Sequence, residues 1–369
     1  MNILVVNPIM YSNETDNIKK VNSIKDTLMY NVCLALKNCG CNVTLVSSFD
    51  FKPIEDEDYP FKIIFFKSIL KKICYPRIIP LLKGYKKYLK KNKNSFDFAI
   101  CSESFSLSTF TTSRILKEKC IIWQEMAKHQ RKFFKLPSKI WHNLVVRFFY
   151  KKNLMVPRSK EARDFICNYS KNICSSIIEH GVNLNKFTNS NVKVSKQFLV
   201  ASQLIERKHI DKIIDQFYQL LKKYRDYKLV ICGDGPLKEQ LVGYCKSLDI
   251  QDSVLFRGNL SHDKLSVEYY KSLALLIYTS QDNNMVSIIE SICSGTPVIT
   301  TSIPYNCIYI KEFKLGIVND YWGTNEMEEI INNYNFYSEN CISYRSNLST
   351  SETARKFVEI LKKEGKKND

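Results

Sequence analysis

The stretch QDNNMVSIIESICSGTPVIT, residues 281–300, predicts a helix that leads into a buried strand. Its apolar residues recur at i, i+3, i+4 and i+7, which is the spacing of a helix with one face against a core. These residues are Met285, Ile288, Ile289 and Ile292. Gly295 ends the predicted helix, and Pro297 introduces the apolar strand that follows. A helix that runs directly into a buried strand is typical of a parallel α/β sheet.

The same alternation of strands and helices extends along most of the chain. In the C-terminal half, the predicted strands are KQFLVASQL (196–204), KLVICGDG (228–235), SVLFRGNL (253–260), ALLIYTS (274–280) and PVITTS (297–302). In the N-terminal half, they are MNILVVNP (1–8), VTLV (43–46), FDFAICSES (96–104), KCIIWQE (119–125) and NLMVPR (153–158). Alternation of this kind favours parallel sheets that helices cover on both faces.

The length of 369 residues exceeds what a single hydrophobic core normally serves, so two domains are expected. We predict an N-terminal Rossmann-like domain over residues 1–182 and a C-terminal one over residues 183–352. The last segment, 353–369, is predicted to be a helix that crosses back to the first domain.

Several classes of protein are disfavoured by the composition. No apolar run approaches the roughly 18 residues of a membrane span, and residues 1–10 lack the basic start of a signal peptide, so a cytoplasmic protein is expected. The thirteen cysteines are odd in number and lack paired metal-binding spacing, so they are expected to be reduced. No metal site is predicted, because the one tight pair, Cys39 and Cys41, has no neighbouring ligands.

The net charge of +18 belongs to the N-terminal half. Two acid-free stretches, 59–96 and 126–160, carry eleven and ten basic residues. Within residues 61–91, lysines alternate with Phe, Ile, Leu and Tyr in a partly amphipathic pattern, which suits the surface of an anionic membrane. An ordinary helix with lysines in water is the open alternative. Nucleic acid is disfavoured, since no zinc-finger, RNP-like or basic-zipper pattern accompanies the charge.

Asp282 and Glu290 are the candidate functional carboxylates of the opening stretch. Ligands of open parallel sheets bind beyond the carboxyl ends of the strands, where a helix N-terminus offers N–H groups to phosphate. Carboxylates on either side would suit polyols, because each oxygen accepts hydroxyl hydrogen bonds. The open alternative makes Asp282 or Asn283 a helix N-cap and Glu290 a water-facing acid. Gly233 and Gly235 equally serve either a tight turn or the close approach of a ligand, and Pro236 suits the first position of the helix that follows.

An ordered series of motifs resembles the retaining glycosyltransferases of family four, which belong to glycosyl transferases group 1. DNNMVSIIESICSGTPVIT is similar to the family's E-x7-E region. The other similar segments are MVPRSKEARDF (155–165), IIEHGVNLNKF (177–187), VASQLIERKHIDKII (200–214), LVICGDGPLKEQL (229–241) and VLFRGNLSHDKL (254–265). The resemblance implies the GT-B fold, in which two Rossmann-like α/β domains face each other across a cleft.

The resemblance also implies roles for individual residues. Glu290 would hold the ribose of a nucleotide sugar, Asp282 would contact the transferred sugar, and Lys208 would face the diphosphate. A solvated lysine at a helix start is the open alternative for Lys208. The wider nucleotide-sugar site would comprise Gln203, Arg207, Lys208, Gly233, Gly235, Leu260, Asn284, Met285, Val286, Ser287 and Glu290. Four positions of these motifs depart from the family pattern. Asp282 replaces a glutamate, Asn284-Met285 replaces a Phe-Gly pair, and Gln203 replaces a phosphate-binding arginine for which Arg207 could compensate.

In the N-terminal half, the family often places a histidine at the end of the strand that KCIIWQE represents. Gln124 and Glu125 occupy this position, and His129 follows one turn later. Glu125 and His129 are therefore the catalytic candidates of this half, with a capping acid and a surface histidine as the open alternatives. The acidic triplet Asp56-Glu57-Asp58 is interpreted as a solvated turn rather than as a metal-binding D-x-D motif.

The resemblance implies a metal-independent hexosyltransferase that retains anomeric configuration. The expected donor is a UDP- or GDP-sugar, and the expected acceptor is a lipid-linked or growing saccharide in surface-polysaccharide synthesis. The enzyme would act at the inner face of the membrane. Two alternatives stay open at this point: a non-catalytic protein of this fold that binds a nucleotide or a partner, and a nucleotide-sugar epimerase.

Overall fold

A computed structural model describes residues 1–10, 23–25, 27–69, 80–129, 135–187, 194–282 and 284–368. The chain forms two compact units. The first contains Met1–Gly181 together with Thr350–Asp369, and the second contains Val182–Ser349. Within the described ranges, every helix is too short or too polar to span a lipid bilayer.

The first unit is built on a parallel six-stranded sheet of order β3-β2-β1-β6-β7-β8. Its strands are β1 (Asn2–Val6), β2 (Asn42–Ser48), β3 (Lys62–Phe66), β6 (Phe98–Ser102), β7 (Cys120–Gln124) and β8 (Met155–Pro157). A small antiparallel hairpin adds β4 (Ser68–Ile69) and β5 (Leu81–Leu82). Because helices cover both faces, β6 and β7 are buried at every position, and their residues are apolar or small except for Gln124.

Six helices are described in the first unit. They are α1 (Leu28–Asn38), α2 (Tyr85–Asn92), α3 (Leu107–Leu116), α4 (Leu136–Trp141), α5 (Lys160–Cys167) and α12 (Thr350–Asn368). Helix α4 continues directly into a π-helical segment, His142–Phe149. Helix α12 packs against α1, and Phe357 on α12 makes an edge-to-face contact with Trp123 of β7 at 5.0 Å. The last helix is therefore an integral part of the first unit.

The second unit repeats the architecture with a parallel sheet of order β11-β10-β9-β12-β13-β14. Its strands are β9 (Gln197–Ala201), β10 (Lys228–Cys232), β11 (Val254–Gly258), β12 (Ala274–Leu276), β13 (Val298–Thr300) and β14 (Gly316–Val318). Its helices are α6 (Ile210–Leu221), α7 (Lys238–Ser247), α8 (His262–Lys271), α9 (Val286–Cys293), α10 (Cys307–Glu312) and α11 (Thr324–Tyr344). The strand order reverses between β9 and β12, and ligand sites in such sheets lie at this switch point.

Three local predictions from the sequence are wrong. Helix α9 begins at Val286 with Met285 as its N-cap, so Asp282 neither opens nor caps it. Helix α7 begins at Lys238, so Pro236 precedes the helix instead of occupying its first position. The start of the amphipathic segment 61–91 is not a helix but the strand β3, which pairs with β2. Residues 70–79 of that segment lie outside the described residues.

Candidate functional site

A pocket of about 170 Å³ lies at the carboxyl edge of the second sheet, beside helix α9. The loops after β9, β10 and β11 form one side, and α8 and α9 form the other. Its lining residues are Ala201, Ser202, Gln203, Cys232, Gly233, Asn259, Leu260, Leu265, Tyr269, Ser287 and Glu290. The pocket thus unites five residues of the predicted nucleotide-sugar site, namely Gln203, Gly233, Leu260, Ser287 and Glu290.

Glu290 is buried in this pocket, and its side chain is only 7% exposed. The hydroxyl of Tyr269 donates a hydrogen bond to Oε2 at 3.1 Å. Nδ1 of His262 lies 3.4 Å from Oε1. The interpretation of Glu290 as a water-facing acid is therefore wrong, because α8 brings Tyr269 and His262 over this side of α9. The carboxylate is held in a fixed position and retains acceptor capacity toward the pocket.

Asp282 lies in the loop before α9, at the centre of a compact charge cluster. Its Oδ1 accepts a hydrogen bond from Arg207 Nη1 at 2.9 Å, and its Oδ2 accepts one from Lys208 Nζ at 2.7 Å. Thr279 Oγ1 also donates to Oδ2, at 2.6 Å. The side chain of Lys208 is only 9% exposed, so its interpretation as a solvated helix-start lysine is wrong. One carboxylate therefore holds two cations together.

The start of α9 presents backbone donors next to this cluster. The N–H group of Met285 is occupied, since it donates to Asn306 Oδ1 at 2.7 Å. The N–H groups of Val286 and Ser287 follow in the first turn, where no acceptor exists within the helix. Asn284 lies just before this turn and is partly exposed, while the side chain of Met285 is buried. The donors available to an anion are therefore those of Val286 and Ser287.

Gly233 and Gly235 are needed for backbone packing between the loops after β9 and β10. Gly233 has φ +136°, and a Cβ atom there would lie 1.8 Å from the carbonyl oxygen of Ser202. A Cβ atom on Gly235 would lie 2.3 Å from the carbonyl oxygen of Leu204. Gly233 also lines the pocket, whereas Gly235 does not. Turn-making thus accounts for both glycines, and ligand approach adds a reason only for Gly233.

In the first unit, Glu125 directly follows β7 and is fixed by two basic side chains. Nη1 of Arg158 donates to Glu125 Oε2 at 2.7 Å and to His180 Nε2 at 2.7 Å. Burial opposes ionisation of Glu125, but its contacts with His180 and Arg158 lower its pKa to about 2. Arg158 is buried and stacks on the ring of Trp123 at 3.8 Å. Glu125 is therefore an ionised, anchored carboxylate and not the helix-capping acid of the alternative interpretation.

Glu103 is a member of this cluster that the sequence analysis missed. It has φ +66°, which is a strained backbone conformation for a residue with a side chain. Its Oε1 accepts hydrogen bonds from the N–H groups of Glu125 and Met126, at 2.7 and 3.2 Å. Burial raises the pKa of Glu103 to about 7, although Arg158 opposes the shift. Glu103, Glu125 and Arg158 each directly follow one of three adjacent strands, and this shared position could have identified the cluster from the sequence.

His129 has a structural role in the first unit. Its Nδ1 lies 2.9 Å from Ser138 Oγ, and its Nε2 lies 2.9 Å from the hydroxyl of Tyr169. The ring also packs edge-to-face against His142 and Phe165. Since both ring nitrogens are engaged, the structure favours neither the catalytic role nor the surface position considered for His129.

The acidic triplet lies in a loop before β3. Asp56 is exposed and pairs with Lys52 at 2.6 Å, whereas Glu57 accepts hydrogen bonds from Ile24 N and the Tyr59 hydroxyl. Across the described part of the chain, no three His, Cys, Asp or Glu side chains come together in an arrangement that would hold a metal ion.

Comparison with known proteins finds similarity to glycosyltransferases in both sequence and fold. Residues 183–343 match the family model described as glycosyl transferases group 1. Alpha-monoglucosyldiacylglycerol synthase of Streptococcus pneumoniae is 28% identical over 200 residues, which cover 50% of this chain and 45% of that protein. The chain spans less than half of the length of the curated relatives that it matches.

Two solved structures extend the similarity to both units. HepE of Anabaena, solved in complex with UDP, has a TM-score of 0.67 at 12% identity, covering 98% of this chain and 100% of that chain. A glycosyltransferase of Rickettsia africae has a TM-score of 0.70 at 16% identity, covering 98% of each chain. Identities this low establish a shared fold and nothing about substrates.

Proposed function

Since residues 183–343 belong to the glycosyl transferases group 1 family and the chain has the GT-B fold, we propose a retaining hexosyltransferase that uses a nucleotide-diphosphate sugar. The donor is a UDP- or GDP-sugar, and no metal takes part. The acceptor is a lipid-linked or growing saccharide. The product belongs to a bacterial surface polysaccharide, made on the cytoplasmic face of the membrane.

The observation that carries this proposal is the buried carboxylate of Glu290 in the pocket at the switch point of the second sheet. A nucleotide presents two ribose hydroxyls, and a fixed carboxylate accepts hydrogen bonds from both. The solved complex of HepE contains UDP, so a UDP-sugar is the first donor to test. Gln203 and Leu260, which line the same pocket, would contact the nucleoside.

The diphosphate would lie between the start of α9 and the cations of the charge cluster. The leaving nucleoside diphosphate gains negative charge as the glycosidic bond breaks, and prearranged donors stabilise that charge in the transition state. Lys208, Arg207 and the N–H groups of Val286 and Ser287 supply such donors. The departing phosphate accepts the proton of the acceptor hydroxyl, which attacks from the same side, so that configuration is retained.

Asp282 has a double role in this proposal. Its oxygens hold Lys208 and Arg207 in place before the donor arrives. Once the diphosphate shares these cations, the carboxylate becomes available to hydroxyls of the transferred sugar. Arg207 also supplies the permanent charge that Gln203 lacks.

On the acceptor side, the proposed residue is Glu125 and not His129. Its carboxylate is ionised, anchored by Arg158 and about half exposed, at 54%. The relative from Streptococcus pneumoniae is named for the synthesis of a glucosylated diacylglycerol, which supports an acceptor of lipid character.

The test is a panel of UDP-, GDP- and ADP-sugars, with thermal stabilisation and release of nucleoside diphosphate as readouts. We expect one donor to stabilise the protein and to be slowly hydrolysed. Glu290→Gln should weaken both responses, because the amide keeps one acceptor oxygen and presents a donor to the second ribose hydroxyl. Glu312→Gln, an exposed glutamate of α10 in the same unit, should change neither.

The outcomes separate this function from its rivals. Stabilisation without turnover on any lipid-linked acceptor would favour a non-catalytic binding protein, which the engaged oxygens of Asp282 and the neutral Gln203 also suit. Interconversion of the sugar without transfer would identify an epimerase. A chelator should leave transfer unchanged, and loss of transfer that a divalent cation restores would refute the metal-independent mechanism.

A further inference from the structure

Helix α4 and its π-helical continuation carry a row of large apolar side chains that face water. Leu136, Ile140, Leu144 and Phe148 are 58%, 49%, 53% and 57% exposed. They recur every four residues and so form one stripe along the segment. Large apolar side chains on a soluble surface occur singly as a rule, and a continuous row marks an interaction surface.

The two helix types keep this stripe straight. A four-residue step exceeds the 3.6 residues of an α-helical turn, so an apolar row drifts in one direction along Leu136–Trp141. A π-helix has wider turns, closed by i→i+5 hydrogen bonds, so a four-residue step falls short of one turn. The apolar row therefore drifts in the opposite direction along His142–Phe149. The two drifts offset each other.

A second stripe of basic residues runs beside the apolar one. Lys135, Lys139, Arg147 and Lys151 are all exposed, and each lies one to three residues from an apolar member along the chain. Residues 126–160 contain no acid. Lys151 also places its ammonium over the ring of Phe148, at 5.6 Å. The surface therefore combines an apolar ridge with an unopposed positive edge.

The opposite face anchors the segment to the first unit. Ser138, His142, Val146 and Tyr150 recur at the same four-residue spacing and are buried. Trp141 Nε1 donates to the carbonyl oxygen of Ser104 at 2.8 Å, and the hydroxyl of Tyr150 donates to the same oxygen at 3.3 Å. These bonds fix the rotation of the helix, so the apolar stripe cannot turn inward without breaking them.

We propose that the surface formed by residues 135–151 docks the protein on an anionic lipid bilayer. The apolar stripe enters the boundary between headgroups and acyl chains, and the basic stripe meets lipid phosphates. This inference assigns a specific surface to the membrane contact of the proposed function. It rests on that function only for the nature of the acceptor. It moves the membrane contact from residues 61–91, where the structure has a strand at Lys62–Phe66, to residues 135–151.

Charge and shape favour a bilayer over other occupants. A second copy of this chain, bound through the same surface, would bring two acid-free stretches together, and like charges repel. Nucleic acid would neutralise the basic stripe but would leave the apolar stripe without an apolar partner. An anionic bilayer satisfies both stripes at once.

The test is co-sedimentation with vesicles of phosphatidylcholine containing phosphatidylglycerol, without any sugar donor. The unmodified protein should bind these vesicles and bind pure phosphatidylcholine weakly. Leu144→Gln/Phe148→Gln should weaken binding about tenfold or more, because the inserted apolar surface is lost. Lys139→Gln/Arg147→Gln/Lys151→Gln should remove the preference for the anionic lipid and the sensitivity to salt.

Matched controls come from the second unit. Ile308→Gln/Phe336→Gln removes two side chains of comparable exposure, 47% and 48%, and should leave vesicle binding unchanged. Thermal unfolding and donor hydrolysis should stay unchanged in the apolar and basic variants, which shows that both are folded.

Three results would overturn the proposal. The first is that Leu144→Gln/Phe148→Gln binds vesicles as well as the unmodified protein does. The second is that the protein is a dimer without lipid and that substitutions in the stripe make it a monomer. The third is that the stripe is needed to bind an oligonucleotide but not to bind vesicles. The proposed function can fail independently of this docking surface. If vesicle binding depends on the stripe but no sugar is transferred to any acceptor, the docking surface is supported and the transferase function is refuted.

Discussion

At the residue scale, three clustered charged residues of the first unit directly follow the ends of strands. Glu103, Glu125 and Arg158 follow β6, β7 and β8, and all three meet at the carboxyl edge of the first sheet. The environment then separates the two carboxylates. The pKa of Glu125 falls to about 2 beside His180 and Arg158, whereas burial raises that of Glu103 to about 7. Two acids on one sheet edge therefore carry different charges near neutral pH.

The raised pKa of Glu103 predicts a pH-dependent contribution to stability. Between pH 4.5 and 7 the unfolded chain has released the proton that the folded chain still holds, so this contribution is lost as the pH rises. Glu103→Gln should remove the loss, which we expect to be on the order of 1–3 kcal/mol. The measurement is urea unfolding of both proteins at pH 5 and pH 8.

Only the difference between the two proteins reports on Glu103, because other groups titrate in the same range. Burial lowers the pKa of His142 to about 4, and that change favours the folded state as the pH rises. Glu55→Gln, in an exposed loop, is the control and should keep the wild-type pH profile. An identical profile for Glu103→Gln would contradict the assigned pKa.

The sequence predicted which residues meet in the pocket of the second unit better than it predicted the contacts around them. Ordered motifs located Gln203, Gly233, Leu260, Ser287 and Glu290, because each lies at a fixed offset from a strand or helix end. The contacts that bury and orient them were not readable. Tyr269 and His262 reach Glu290 from a different helix, and Asn306 reaches the start of α9 from another loop. Such partners depend on tertiary packing, which periodicity does not encode.

At the element scale, the strands were predictable, whereas the starts of α7 and α9 were misplaced. The quoted strand segments overlap every strand of the two six-stranded sheets except β3 and β14, since buried parallel strands appear as short apolar runs. The start of α9 was misplaced because Asp282 was expected to cap it. Its carboxylate is instead held by two cations, and the helix begins four positions later.

The loop after β10 provides a test at this scale. Gly233→Ala places a Cβ atom against the carbonyl oxygen of Ser202 and strains a backbone at φ +136°, so the two loops must move apart. We expect the second unit to lose on the order of 2–4 kcal/mol of stability, measured by urea unfolding. Nucleotide binding should weaken as well, because Gly233 lines the pocket.

Gly243 is the matched control, because it lies inside α7 with no atom near its Cβ position. Gly243→Ala should raise stability by about 0.5–1 kcal/mol through helix propensity alone. If Gly233→Ala unfolds at the wild-type urea midpoint, the close approach of the two loops is not as the structure describes it.

At the scale of the whole molecule, the GT-B fold predicted from the ordered motifs is confirmed by the solved structures of similar fold. The resemblance to group 1 glycosyltransferases is confirmed by the family model over residues 183–343. The motifs that carried this prediction lie mainly in the second unit, to which the proposal assigns the nucleotide sugar. The first unit, which the proposal assigns to the acceptor, offered only the outline of alternating strands and helices.

Helix α12 predicts how the first unit responds to mutation. Phe357 is fully buried and packs on Trp123, so Phe357→Ala should cost the first unit about 3–5 kcal/mol. Hydrogen exchange should show faster exchange in β7 and α1, with β9 and β10 unchanged. Lys363→Ala, on the exposed side of α12, is the control. Uniform loss of protection in both units would contradict an assignment of α12 to the first unit alone.

The return of α12 also sets the order in which the protein is completed during synthesis. The ribosome makes residues 1–181 first, but the helix that covers α1 and Trp123 is made only after all of residues 182–349. Domains normally fold as they emerge, beginning at the N-terminus. The chain of the second unit is therefore complete before that of the first unit, although its synthesis begins later. Until translation has passed residue 357, the first unit leaves an apolar surface exposed to chaperones.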